Sequence, residues 1–84
     1  MRWYILSERE RQRSGQFVAV AAAYDDLTAT LVRDYLLERG VGAVFPPVTY
    51  IFYVSKPTRI WVHADDEERA IDLLRELQAE WQEA

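Results

Sequence analysis

Apolar residues run almost unbroken through "QFVAVAAAY", residues 16–24. At the two-residue period of a strand, Phe17, Ala19, Ala21 and Ala23 would face one way and Val18, Val20, Ala22 and Tyr24 the other. Both faces are apolar, which predicts a central strand, and the alanines predict a helix packed closely over it. The period then lengthens. In "DDLTATLVRDYLLERG" a turn of 100° per residue gathers Thr28, Leu31, Val32, Tyr35 and Leu36 on one arc, with Arg33, Asp34 and Glu38 opposite. Asp25 or Asp26 can cap this helix, and Gly40 suits the left-handed turn that ends it.

"VGAVF" is a short apolar strand stopped by Pro46 and Pro47. "YIFYV" and "TRIWV" then read as two arms of a hairpin joined at "SKP", with proline at the ends, where strands tolerate it. In "TRIWVHA", Ile60 and Val62 share one face, while Arg59, Trp61 and His63 share the other. The last helix opens on "DDEE", with Asp65 as the expected cap and Glu68 three residues on as its capping-box partner. Its buried stripe is Ala70, Ile71, Leu74, Leu77 and Trp81.

The order strand, helix, strand, strand, helix predicts an α+β fold. With right-handed crossovers it is a ferredoxin-like split βαβ sandwich: an antiparallel or mixed sheet with both helices on one face. The usual last strand is missing. "RWYIL" can replace it as an N-terminal strand, antiparallel to "FVAVAAAY" through a hairpin in "SERERQRSG". The 84 residues make one domain, with residues 1–16 as a strand and basic-loop extension and residues 17–81 as the core.

Composition narrows the chemistry. There is no cysteine, hence no disulfide, thiolate metal site or cysteine nucleophile. The net charge of -4 argues against nucleic acid as a partner. The first residues lack the apolar core and cleavage site of a signal peptide, and no run is long enough to span a membrane, so a cytoplasmic protein is expected. Charge is unevenly spread: Arg2, Arg9, Arg11 and Arg13 lie near the start, and eight acids lie in the last twenty residues. The two ends could attract each other within one chain or between two.

Candidate reactive groups are few. His63 is the only histidine, and nothing in the sequence links it to Ser7, Ser14 or Ser55. The glycines fit turns and strand packing, with no phosphate loop among them. No catalytic residue, metal ligand or cofactor is therefore expected. "SKPTR" supplies Lys56 and Arg59, which with His63 are candidates for a small anionic ligand.

The stretches "FVAVAAAYDDLTATLVRDYLLERGVGAVF" and "TRIWVHADDEERAIDLLREL" resemble the small bacterial signal-transducing domains of unknown function that are grouped by fold with PII-like signalling proteins. The likeness runs from residue 17 to 77, through the strand leading into an Asp-initiated helix, the "ERGVGA" turn and "IWVHADDEERAIDLL". It implies a ferredoxin-like fold, self-association and a regulatory role, and no site residues. The aromatic stretch "PPVTYIFYVSKP" replaces the polar loop usual in those domains.

With both helices on one face, the other face of the sheet carries Trp61 and the aromatic strand. The expectation is a non-enzymatic regulatory module, a homodimer or the partner of another protein. Its contact residues are Tyr50, Phe52, Tyr53 and Trp61, joined by Trp3 and Leu37. The alternative is a PII-like sensor of an anionic metabolite or nucleotide at Lys56, Arg59 and His63.

Overall fold

A computed structural model describes residues 2–45 and 57–83. Five strands and two helices form an open antiparallel sheet with a helical layer: β1 (Trp3–Ile5), β2 (Arg13–Ser14), β3 (Phe17–Ala23), α1 (Asp26–Glu38), β4 (Ala43–Val44), β5 (Thr58–His63) and α2 (Glu67–Glu83). The strands lie in the order β1, β3, β5, β4, with β2 also on β3, and all these pairings are antiparallel. β3 and β4 are thus parallel to each other with β5 between them. The expected position of the N-terminal strand holds: Trp3 pairs with Ala23 and Ile5 with Ala21.

That edge is laid in two pieces. After β1 the chain leaves the sheet through a 3-10 turn, Glu8–Glu10, and returns as β2. The Leu6 N–H donates to the Val20 carbonyl before the excursion, and the Ala19 N–H donates to the Gln12 carbonyl after it. Ser7 donates from both its N–H and Oγ to Glu10, which draws the Glu10 carboxyl below its ordinary range. A two-residue turn follows, with Gly15 at φ +59°, the left-handed position that glycine adopts without steric cost.

Both helices cover the same face. Ala29, Val32 and Leu36 of α1 and Ala70, Ile71, Leu74 and Leu77 of α2 form one core with Trp3, Val18, Val20, Ala21, Ala23, Ile60 and Val62. The expected stripe of α2 is fully borne out, Trp81 packing against this core. Two expectations are corrected. Leu31 is 49% exposed, and Ala29 takes its place in the core, because the α1 arc is centred on Val32 and Leu36. The strict alternation along β3 also fails. Ala19 pairs with Trp61 but Ala21 pairs with Ile60, so Val20 is an extra residue opposite a single step of β5. This bulge swaps the faces beyond it: Ala21 and Ala23 turn to the helices, and Ala22 turns away.

The helix ends follow local chemistry. Asp25 accepts from the Thr28 N–H and Oγ1 and caps α1. At the other end the Gly40 N–H donates to the Leu37 carbonyl and the Val41 N–H to the Leu36 carbonyl, while Val41 and Leu36 meet in the core, a Schellman motif. Arg69 of α2 donates to the Arg39 carbonyl at 2.6 Å. Gly40 has φ +84°, and a Cβ there would meet nothing closer than the Arg69 guanidinium at 3.6 Å. The cost of a side chain is therefore conformational. Gly40→Ala is expected to lower stability by about 1 kcal/mol, and Gly40→Asn by less, in urea titrations. Equal stability of all three proteins would contradict this account.

The start of α2 differs from expectation. A 3-10 turn, Ala64–Asp66, precedes it, and the cap is His63, whose Nδ1 accepts from the Asp65 N–H. Asp65 points into solvent because the tighter first turn presents its N–H, not its carboxylate, to the cap position.

Candidate functional site

The sheet face turned away from the helices is built from three rungs. Directly paired residues on antiparallel strands project to the same side. Tyr4, Ala22 and Arg59 make the first rung, Ala19, Trp61 and Val44 the second, and Phe17 and His63 the third. Leu6, Ala19, Ala22 and Trp61 form a second buried cluster here, with Tyr4 and Phe17 packed on it. Tyr24 adds a ring 5.8 Å from that of Tyr4 and is 53% exposed. Burial, reinforced by the Tyr24 hydroxyl and by Glu10, holds the Tyr4 phenol above its ordinary value, against an opposing pull from Arg59.

Trp61 lies on this face as expected, yet it is only 7% exposed, so it is the floor of the apolar patch and not its rim. Its indole N–H has no acceptor among the described residues, and neither has the buried Nε of Arg59. Trp3 is corrected as a contact residue. It is fully buried on the helical side, edge-on to Trp81 at 5.8 Å, because the pairing of β1 with β3 turns its side chain inward. Leu37 is 46% exposed but belongs to α1, on the opposite side of the sheet from Trp61. Tyr50, Phe52, Tyr53 and Lys56 lie outside the described residues.

The proposed ligand pair is spread apart. Arg59 and His63 share a face, but four steps along the strand separate their backbones by roughly 13 Å. His63 is committed locally: Nδ1 accepts from the Asp65 N–H at 3.2 Å, and Nε2 faces Gln16 Oε1 at 3.1 Å. Its ring meets Phe17 edge-on at 6.2 Å. Among the described residues no cluster of His, Asp or Glu is placed to hold a metal ion.

Tyr4, Leu6, Phe17 and Tyr24 complete this face and were not singled out as site residues in the sequence. The alternation of "WYIL" carried a signal for Tyr4, but only the pairing of β1 with β3 says which side it takes.

A second constellation joins the two ends of the chain. Arg11 donates to Glu67 at 3.0 Å and Arg13 donates to both oxygens of the same carboxylate. Arg11 also donates to the Leu6 carbonyl, tying the excursion between β1 and β2 to the first turn of α2. The attraction between basic start and acidic end is thus realised within one chain. Burial alone would raise the Glu67 carboxyl, but the hydrogen bonds and charges of Arg13 and Arg11 outweigh it and hold the group below its ordinary value. An open groove of about 320 Å³ lies alongside, lined by Glu8, Arg11, Glu68, Ile71, Asp72 and Arg75. Its lining mixes three acids with two arginines, so neither sign of charge is selected.

No helix among the described residues is long and apolar enough to cross a membrane. No family model, curated protein or solved structure matches this chain.

Proposed function

We propose that this chain is a non-enzymatic, ferredoxin-like interaction module that self-associates as a dimer through the sheet face opposite its helices. One observation carries the reading: a second apolar cluster, around Trp61, lies on a face that neither helix covers. An antiparallel sheet with one free face ordinarily alternates apolar-in and polar-out. Here the outward positions of β1, β3 and β5 include Tyr4, Phe17, Ala19, Ala22 and Trp61. A small domain buries a modest share of its surface, and a second copy adds to that burial.

The strand order supports the ferredoxin-like assignment, with β1 beside β3 where the usual last strand would lie. A regulatory role rests on the sequence resemblance alone.

Light scattering and sedimentation test the reading. The wild-type chain is expected to be dimeric at tens of micromolar, and Tyr24→Arg to weaken the dimer roughly tenfold, the size of one interface anchor. Tyr24 is the better probe because Trp61→Ala would open a cavity in the monomer. A wild-type monomer at that concentration would retire the dimer. Should added phosphate or citrate instead raise the melting temperature, and Arg59→Ala abolish the effect, the reading moves to an anion sensor centred on the Arg59 Nε, which has no partner among the described residues.

A further inference from the structure

Arg59 stands half-buried on the open sheet face without a counter-charge. Its Nε is buried with no acceptor, and no carboxylate lies within ion-pair distance of it, among the described residues. Arg2, Arg9 and Arg69 also lack an ion pair there, but all three are exposed, so water serves them. Water serves Arg59 only in part. A second copy packed on this face would withdraw that water too, and a desolvated guanidinium without a carboxylate opposes association. If the face is a dimer contact, the partner must bring the acid.

The acids around the face are not equivalent. Glu10 is held by the Ser7 N–H and Oγ, and Glu67 by Arg11 and Arg13. Asp65 is 90% exposed at the far end of the face, its Oδ2 3.5 Å from the third-rung His63. Arg59 cannot reach its own Asp65, because the first and third rungs lie roughly 13 Å apart along the strand. The partner's Asp65 comes within reach under one symmetry. Two sheets packed face to face keep their strands nearly aligned, and a twofold axis relating them lies in the contact plane. An axis along the strands sets first rung on first rung and brings the two Arg59 side chains to one level, like charge beside like. An axis across the strands, over the middle rung, sets first rung on third. Tyr4 then lies over the partner's Phe17, and Arg59 over the partner's His63 and the partner's Asp65.

We propose that the dimer packs with its strands antiparallel about the Trp61 rung and is closed by two symmetric ion pairs, Arg59 of each chain with the partner's Asp65. This inference rests on the reading of the sheet face as a dimer contact and adds its orientation and its charged contacts. The ion pairs act in two ways. They give a counter-charge to a cation that apolar burial would strand, and they disfavour the strand-parallel arrangement, in which Arg59 meets the partner's Arg59. Apolar contact supplies the association, and charge selects its direction.

Charge reversal tests the pairing on the full chain, by sedimentation at low salt. Arg59→Glu and Asp65→Arg are each expected to weaken the homodimer by roughly tenfold or more, because each sets like charges together twice. An equimolar mixture of the two variants is expected to recover the dimer, since opposite charges then meet in both contacts. The chain carrying both substitutions is expected to associate about as tightly as the wild type, for the same reason. Urea titration checks that each variant folds. Should Arg59→Glu not fold, the exposed Asp65→Arg decides alone, and unchanged association overturns the ion pairs. A wild-type dimer that neither reversal weakens, or a mixture of two folded variants that stays monomeric, overturns the ion pairs while the face remains the contact. Preferential pairing of Arg59→Glu with the wild type marks the strand-parallel arrangement and overturns the orientation. A wild-type monomer at tens of micromolar overturns the ion pairs together with the self-association reading.

Discussion

Trp3→Ala is expected to remove about 3–5 kcal/mol of stability, the usual cost of emptying a large aromatic site in a core. Trp3 is fully buried beneath α2, and its ring is edge-on to Trp81. A domain of this length has roughly 4–12 kcal/mol in all, so the variant should be unfolded or nearly so in mild urea. Trp3→Phe separates packing from chemistry. It loses volume, but it also removes an indole N–H that is buried without an acceptor among the described residues. Such an orphan donor costs about 1–3 kcal/mol, so the two effects should leave Trp3→Phe within about 1 kcal/mol of the wild type. Urea or thermal unfolding checks both variants. If Trp3→Ala were as stable as the wild type and only its association changed, Trp3 would be a surface contact and this account of the edge strand would be wrong.

Glu67→Ala is the next largest, at about 2 kcal/mol. The carboxylate holds Arg11, which is only 14% exposed, and its loss strands a largely buried guanidinium. Arg13 is 55% exposed, so Arg13→Ala should cost less than about 1 kcal/mol. The same clamp sets an acid dependence. The folded pKa of Glu67 lies below its unfolded value, so the folded state binds the proton more weakly than the unfolded chain. The stabilisation is therefore complete above the unfolded value, about 4.3, and disappears as pH falls through the lower folded value. Glu67→Gln should lack this part of the acid transition. Identical stability-versus-pH curves for the wild type and Glu67→Gln between pH 6 and 3 would remove the clamp from the list of stabilising contacts.

Several features were legible in the chain because they depend on neighbours within a turn or two. The Asp25 cap, the left-handed Gly40 and the stripe from Ala70 to Trp81 are of this kind. The position of "RWYIL" beside β3 was legible too, since one face of an edge vacancy and one short apolar strand leave few other arrangements. The phase of β3 was not. One extra residue at Val20 reverses which alanines meet the helices, and a run of alanine and valine gives no sign of where a bulge falls. Leu31 was misplaced for a related reason: periodicity finds an arc, while the core selects which part of it is covered.

Sequence alone determined the two helices and the main strands, the Asp25 cap of α1, the two-sided apolarity of the central strand and the charge asymmetry between the ends. These are sums of local propensities and of residue counts, which need no knowledge of what lies across the sheet. Only the tertiary structure decided that Trp3 is core and Trp61 the floor of the opposite face, and that Tyr4, Phe17 and Tyr24 surround it. It also decided that Arg11 and Arg13 meet Glu67 within one chain, and that His63, not Asp65, caps the 3-10 turn leading into the last helix. Each of these depends on strand register or on the tightness of a single turn. A shift of one residue moves a side chain to the other face of a sheet, and alternation alone does not say which register the folded chain adopts.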